Sequence, residues 1–469
     1  MSMTTLIPRI TTLLVAGACC QFALHAQNNY QSTIGAAGID KTNAIIPTAD
    51  KGFILAGETC NEVGGKGNAF VLKLDQFGKI VWAKGYGSLP DKESLNDVKV
   101  TPDSGLVSVG ERYLSNPAGR GELGVLLKTE ASGNVKWWKE FDHMGNEAEG
   151  FSLQIASDKG FVIAGMMKDL DNLSDPFFTL KTELQHLYVL KTDKDGVSEW
   201  AGYISGDYSS KGQFIQQTQD GGYIITGSVY KAKEGEDTKI CLVKLDSKGA
   251  MQWINVYDNE GKKEETGMSV LETADHGFMV CGTTLDAGQG NDDIFLFRTN
   301  KSGDLLWAKT YGGPKADMAK FMQKAPGGGF VITGTTSSFG AGSHDAFLMN
   351  VSDNGQLNWF KTYGSPLYEM ASCVAVGADG YAISGFNINS GVVDGIFIKT
   401  DMNGINGCAN NGLVKSGTFA LVVAKHDVIK WEFTLGNKMT HPADANASGG
   451  AAPVVTQKNL CAPVNQNPK

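Results

Sequence analysis

The stretch GKIVWAKGYG, Gly78–Gly87, sets a glycine four residues ahead of a tryptophan, and the same step returns down the chain. It joins Gly78 to Trp82, Gly133 to Trp137, Gly196 to Trp200, Gly249 to Trp253, Gly303 to Trp307 and Gly355 to Trp359. Three residues before each glycine stands Asp75, Glu130, Asp193, Asp246, Asn300 or Ser352, mostly short acceptors that favour turns. Two residues earlier again is Lys73, Lys128, Lys191, Lys244 or Arg298, with Asn350 the exception.

A second signature alternates with the first: GFILAG from Gly52, GLVSVG from Gly105, GFVIAG from Gly160, GYIITG from Gly222, GFMVCG from Gly277, GFVITG from Gly329 and GYAISG from Gly380. Seven copies about 55 residues apart define an internal repeat. Within the second repeat, SLNDVKV, LVSVG, GVLLKTE and NVKWWKEF read as four short strands, rich in β-branched and aromatic residues and bounded by Gly, Asp and Ser. A repeat of four antiparallel strands is a propeller blade, so the fold expected is all-β.

The run D-x-x-G-x-x-x-W, as in DQFGKIVW and DSKGAMQW, resembles the tryptophan-docking repeat of the quinoprotein-like β-propeller superfamily. The unit is also similar to repeats of secreted Bacteroidetes β-propellers, and the resemblance spans residues 28–411. It implies blade-docking roles for Trp82, Trp137, Trp200, Trp253, Trp307 and Trp359. It also raises a quinone-dependent dehydrogenase as an alternative, although that family's eight full blades and adjacent-cysteine pair are missing here. Cys19 and Cys20 are adjacent but fall in the N-terminal leader.

The ends predict how the ring closes. NYQSTIG aligns with the tail of a fourth strand, as in KTYGG from Lys309, whereas IFIKTDMNGINGC supplies a third strand and turn without a tryptophan. Residues 27–411 are therefore expected to form seven four-stranded antiparallel blades, the last completed by the N-terminal strand. Such a pairing removes two free sheet edges. Residues 412–469 read as a β-rich, then Ala/Ser/Gly/Pro-rich tail, and an eighth blade is the alternative if that tail folds as one.

The first 26 residues have the pattern of a signal peptide: Arg9, an apolar run too short for a membrane span, and Ala26 at the cleavage point. Val15–Cys19 loosely resembles a lipobox, so a lipid anchor at Cys19 is the rival reading. Either way the chain is expected outside the cytoplasm: secreted, periplasmic or at the outer cell surface. No later segment is long and apolar enough to span a membrane as a helix. A formal net charge of −9 argues against sequence-independent nucleic-acid binding, which rests on basic residues neutralising phosphates. Six cysteines remain after the leader, too widely spaced for a CxxC-type metal site. Cys408 and Cys461 are the expected disulfide pair, while Cys241, Cys281 and Cys373 read as buried small hydrophobes.

Length freedom concentrates between second and third strands, on the face that also carries the blade-to-blade connections. Variable loops on a rigid scaffold are where function usually resides. The third repeat adds about ten residues there, MMKDLDNLSDPFFTLKTELQH. Asp169, Asp171 and Asp175 in that loop, and Asp286, Asp292 and Asp293 in the fifth repeat, are candidate Ca²⁺ ligands. Neither set has the spacing of a dedicated calcium loop. A carboxylate also opens most first strands, namely Asp40, Glu93, Glu147, Glu265, Asp317 and Glu369. These predict either an acidic ring at the channel mouth or acceptors for backbone N–H groups of neighbouring connections. No catalytic motif is present, and no other cofactor is expected. The function expected is a monomeric scaffold binding protein or glycan through its loop face. A polysaccharide-acting enzyme and a structural subunit of an envelope assembly are the alternatives.

Overall fold

In the computed structural model the described residues are 30–35, 39–60, 67–87, 90–115, 121–142, 146–168, 184–205, 208–231, 238–258, 264–285, 288 and 290–406, with the tail segments 410–411, 415–418, 422–425, 430–435, 450–451 and 456–459. Among them there is no helix, and each repeat folds as a four-stranded antiparallel sheet. Sheet 1 runs Ile39–Pro47, Phe53–Cys60, Gly67–Leu74 and Ile80–Tyr86 in spatial as in chain order. Sheets 2 to 7 open on the inner strands Lys92–Val100, Glu147–Ile155, Tyr208–Gln217, Glu265–Glu272, Asp317–Lys324 and Tyr368–Val376.

Sheet 7 has three strands of its own, ending in Val392–Lys399. Its fourth strand is the N-terminal Tyr30–Gly35, which pairs antiparallel with the third, Tyr30 opposite Lys399 and Ile34 opposite Gly395. The total of 28 strands then fits seven blades. Tyr30 occupies the register position that Trp82 holds opposite Lys73 and Trp137 holds opposite Lys128. The strand missing from the C-terminal end of the repeat is thus supplied from the other end of the chain. Sheets 2 to 6 are separate hydrogen-bonded units, while sheets 7 and 1 are joined by a parallel bridge between Ile39 and Val393.

Burial follows from position within each sheet. Second and third strands such as Phe53–Cys60 and Asp345–Val351 are buried throughout, because a sheet stacked on both faces shows no polar side. Outer strands such as Leu357–Tyr363 alternate toward solvent. Each inner strand carries one β-bulge, at Asn43, Asn96, Phe151, Gln213, Met268, Lys320 and Ser372. A bulge re-aims the extra side chain out of the ladder. All seven of these residues line a single cavity of roughly 190 Å³.

The opening motif is a latch between successive sheets. Gly133 of sheet 2 has φ 78, and a Cβ there would lie 2.9 Å from the ring of Trp82 in sheet 1. Trp137 meets Gly196, Trp253 meets Gly303, Trp307 meets Gly355 and Trp359 meets Gly404 in the same way. Glycine serves twice at this position, giving the left-handed turn and leaving room for an indole. Four residues after the tryptophan, Tyr86, Tyr257, Tyr311 and Tyr363 each donate a hydroxyl hydrogen bond to the carbonyl of that same glycine.

The opposite strand of the motif holds a second recurrent device. Each third-strand cation, buried or half-buried, pairs with an aspartate of the preceding turn: Lys73 with Asp50, Lys128 with Asp103, Lys191 with Asp158, Lys244 with Asp220, Arg298 with Asp275 and Lys399 with Asp379. In sheet 6 both partners change together, Asn350 for the cation and Gly327 for the aspartate. Asn350 donates instead to Phe330 O at 3.2 Å and accepts from Asn358 at 2.7 Å, so no buried charge is left alone.

Among the described residues the tail forms no sheet of its own. Its short strands add singly to the outer edges of the others: Asn410–Asn411 on sheet 6, Lys415–Thr418 on sheet 5, Val422–Lys425 on sheet 4 and Lys430–Leu435 on sheet 3. Gly450–Ala451 then pairs with sheet 1 and Thr456–Asn459 with the N-terminal strand. The tail therefore runs backwards around the rim, covering edges that would otherwise present unpaired N–H and C=O groups. Cys60, Cys241, Cys281 and Cys373 are buried cysteines. Cys408, Cys461, Cys19 and residues 1–26 lie outside the described residues.

Candidate functional site

The carboxylates that open the inner strands are enclosed among the connections between sheets. Pairing with the second strand fixes their register: Asp40, Glu93, Glu265, Asp317 and Glu369 face Thr59, Arg112, Thr284, Thr336 and Asn387. All five are buried. In sheet 3 this position is Ala148, so Glu147 stands one residue out of step, and in sheet 4 it is Ser210. Asp317 accepts from the Gly313 N–H at 2.7 Å and the Ser338 hydroxyl at 2.7 Å, and Glu369 accepts from Ser365. Ser210 takes the same part for the Leu187 N–H at 2.8 Å. None of the six lines the central cavity. A residue that recurs and is buried on its neighbour's backbone serves the repeat.

Asp292 and Asp293 are consecutive on Asp292–Thr299, so their side chains leave opposite faces of the strand. Asp293 is buried and accepts from the Gly290 N–H at 3.1 Å. Among the described residues no group of three or more His, Cys, Asp or Glu is gathered as a metal site. Asp169, Asp171, Asp175 and Asp286 lie outside the described residues.

A different set of charges departs from the repeat. In sheets 1 and 2 the residue after the second signature's closing glycine is Glu58 or Glu111, whereas sheets 3 to 7 have Met166, Ser228, Thr283, Thr335 and Phe386. Around these two, on the loop side of sheets 1 to 3, lie Glu122, Glu149, Lys168 and Arg112. Burial alone would raise the Glu58 carboxyl. Lys41 at 2.9 Å and Lys92 at 3.0 Å outweigh that and hold it below its usual range. Among the described residues Glu111 has no such cation in contact. Burial, aided by the nearby Glu58 and Glu122 charges, pushes it up to about 7, although Asn96 donates to it at 2.5 Å.

Glu122 and Glu149 hydrogen-bond to one another, which requires a shared proton. Burial and the Glu122 charge raise Glu149, while the shared proton and Lys168 hold Glu122 low. Lys168 pairs with Glu122 and stands 3.5 Å from Glu147 and 3.6 Å from Glu149. Arg112 bridges Asp91 at 2.7 Å and Glu140, so the cluster's margin is tied across sheet 2. Burial also raises the Tyr113 hydroxyl, whose ring lies 5.7 Å from the Lys92 ammonium. Such an arrangement can present hydrogen-bond acceptors, one protonated carboxyl and two ammonium groups to a ligand on the loop face. The sequence signal for it was available, since each repeat can be aligned on its closing glycine, but it lay in which repeats differ.

No family model and no curated protein matches the chain. It is similar to solved structures that include a protein of unknown function from Dyadobacter fermentans, at 14% identity over 79% of this chain and 98% of that one, TM-score 0.43. Others are Sqt1 from Chaetomium thermophilum, at 11% identity over 80% and 99%, TM-score 0.38, and the WD40 β-propeller domain of Doa1, at 14% over 67% and 97%, TM-score 0.29. At these TM-scores the architecture rests on the strand pairings themselves.

Proposed function

We propose that the chain is a closed seven-bladed propeller of the exported, quinoprotein-like type, and that it binds a protein or glycan partner through the loop face of sheets 1 to 3. One observation carries the reading: Glu58, Glu111, Glu122, Glu149 and Lys168 gather buried or half-buried charge on sheets 1 to 3, and in sheets 4 to 7 the Glu58, Glu111 and Lys168 positions are uncharged. A charge that the repeat does not need, held where burial shifts its titration, marks a functional position. The turn-face ion pairs and the inner-strand carboxylates recur from sheet to sheet and explain themselves as architecture. Closure by the N-terminal strand is supported by its pairing with sheet 7 and by the seven bulge residues around one cavity.

The test is a glycan array and cross-linking mass spectrometry on intact cells, run with the natural chain and with Glu122→Gln/Glu149→Gln. A partner captured by the natural chain and lost in the variant, at unchanged circular dichroism, supports the reading. Equal capture by both would overturn it. The shared proton of Glu122 and Glu149 favours a second reading, a polysaccharide-acting enzyme using one carboxyl as acid and the other as base. Product release from a panel of acidic and neutral polysaccharides, abolished by either single Gln variant, separates it from binding alone.

A further inference from the structure

Sheet 7, which the two ends of the chain make together, is stitched to both neighbours in the same way. On one side His344 and Tyr368 form a parallel bridge, and the Glu369 N–H donates to His344 O at 2.9 Å. On the other side Val393 and Ile39 form a parallel bridge. The next residue on each bridged strand is an acid: Asp345 and Glu369 at the first seam, Asp394 and Asp40 at the second.

At both seams the two carboxyls converge on one glycine. A Cβ on Gly364, directly after the fourth strand of sheet 6, would collide with Asp345 Oδ1 and lie 3.1 Å from Glu369 Oε2. Gly35, the last residue of the N-terminal strand, stands likewise against Asp394 Oδ1 and, at 3.1 Å, Asp40 Oδ2. The oxygens of each pair are therefore no more than about 5.5 Å apart, where two charges in a buried setting repel strongly. Other seams differ. The third-strand position of Asp345 and Asp394 is Asn68, Leu123, His186 and Lys239 in sheets 1 to 4. In sheet 5 it is Asp293, which meets Asp317 across Gly312, but there Asp317 is held as an acceptor by Gly313, Ser338 and Thr336.

The first seam is the more enclosed, with Asp345 1% and Glu369 0% exposed. Asp345 accepts from the Ala341 and Gly342 N–H groups at 3.2 and 2.9 Å, and Glu369 Oε1 accepts from Ser365. Among the described residues Glu369 Oε2, the oxygen nearest the Asp345 side of the seam, has no hydrogen-bond partner, and neither acid makes an ion pair. The titratable group beside them is the His344 imidazole, 4.1 Å from the Tyr368 ring. Burial, aided by the Lys315 charge, holds it below its usual range, so it is neutral where the acids would ionise.

We propose that sheet 7 is an acid-stabilised clasp: each seam holds one proton between its two carboxyls, and its loss as pH rises above the carboxylate range loosens sheet 7 from its neighbours. Two buried carboxyls this close cannot both ionise without a counter-ion. The separate groups follow suit. Burial raises Asp345, burial and the Asp345 charge raise Glu369, and burial and the Asp40 charge raise Asp394. A raised carboxyl gives stability that is complete below its ordinary value and lost as pH rises through the folded one. Asp394 is only half-buried, so the first seam carries the larger share.

Hydrogen exchange of the full chain, read by mass spectrometry at pH 4 and pH 8.5 and corrected for the chemical rate, tests the clasp. It compares Tyr368–Val376 with Tyr208–Gln217, whose seam has His186 and Ser210 in place of two acids. In the natural chain the protection of the first strand relative to the second should fall at least about tenfold at pH 8.5, the weight of one pKa unit. Asp345→Asn, which installs the amide that sheet 1 carries as Asn68, and Glu369→Gln each remove one charge. Each should shrink that fall by at least about threefold, half a pKa unit. A ratio that does not change with pH in the natural chain, or a fall as large in a folded variant, would overturn the clasp. Protection restored at pH 8.5 by millimolar Ca²⁺ would put a metal ion in the proton's place and overturn it as well.

Discussion

Replacing Glu111 with Gln isolates the titration of the loop-face cluster. The folded chain holds the Glu111 carboxyl at about 7 against an ordinary 4.5, because ionisation there means charging a buried group beside Glu58 and Glu122. A raised carboxyl binds its proton more tightly when folded. Its contribution to stability is therefore complete below pH 4.5 and disappears as pH rises through about 7. The shift corresponds to at most about 3 kcal/mol, and the group's residual access to solvent brings the expectation to about 1–3 kcal/mol. Gln keeps a carbonyl to accept from Asn96 and cannot ionise, so the variant should escape the loss. Stabilities from urea unfolding at pH 4 should differ from the natural chain by less than about 0.5 kcal/mol, and at pH 8.5 the variant should be the more stable by about 1–3 kcal/mol. A variant no more stable than the natural chain at pH 8.5, or a difference equal at both pH values, would refute the reasoning.

Gly133→Ala should lower stability by about 2–4 kcal/mol, from a left-handed backbone position and a Cβ against Trp82, and thermal unfolding reads it. In a Trp82→Ala background that cost should shrink to the backbone part alone, about 1–2 kcal/mol; full additivity would remove the latch. Asn350→Lys alone should destabilise sheet 6 by leaving a cation with no turn aspartate. Adding Gly327→Asp, where a Cβ meets nothing within 4 Å, should restore most of the loss, and a double-mutant cycle with no coupling would contradict the paired-change reading. On the acid side, Asp50 and Asp220 are held near 2, Asp50 chiefly by its hydrogen bond from Lys73, Asp220 by Thr218 and Lys244 against a burial cost. Their stabilisation is present above the ordinary carboxylate range and fades as pH falls toward 2. Asp220→Asn should therefore narrow the stability gap between pH 6 and pH 2, read by urea unfolding at the two values.

Much of this architecture was legible before any coordinates. The glycine-to-tryptophan step, the second signature and the offset of NYQSTIG depend on local turn chemistry and strand period, which a single sequence carries openly. The direction of the latch was not legible, because the residue that Trp82 meets is the glycine of the next repeat, 51 positions on. The rim-winding tail was hidden for a different reason: its strands are two to six residues long and take their order from the edges they cover. The loop-face cluster was missed because it is written in departures from the repeat. The inner-strand acids draw notice by recurring, yet recurrence marks scaffold, and the step of Glu147 out of register is already written in the spacing: it stands 13 residues before Gly160, where Asp40, Glu93, Glu265 and Asp317 stand 12 before the glycines of their own repeats.

The central claim is that one end of the chain completes the sheet begun at the other, and a cross-link between the two ends tests it most directly. Thr33 and Ile396 are direct antiparallel partners, and two cysteines so placed fall within disulfide reach. In Thr33→Cys/Ile396→Cys, mild oxidation of the folded chain should give a peptide joining the N-terminal strand to the third strand of sheet 7 in the mass spectrum, and no such peptide after unfolding in urea before oxidation. A folded chain whose two new cysteines both stay reduced, or pair elsewhere, would contradict the account.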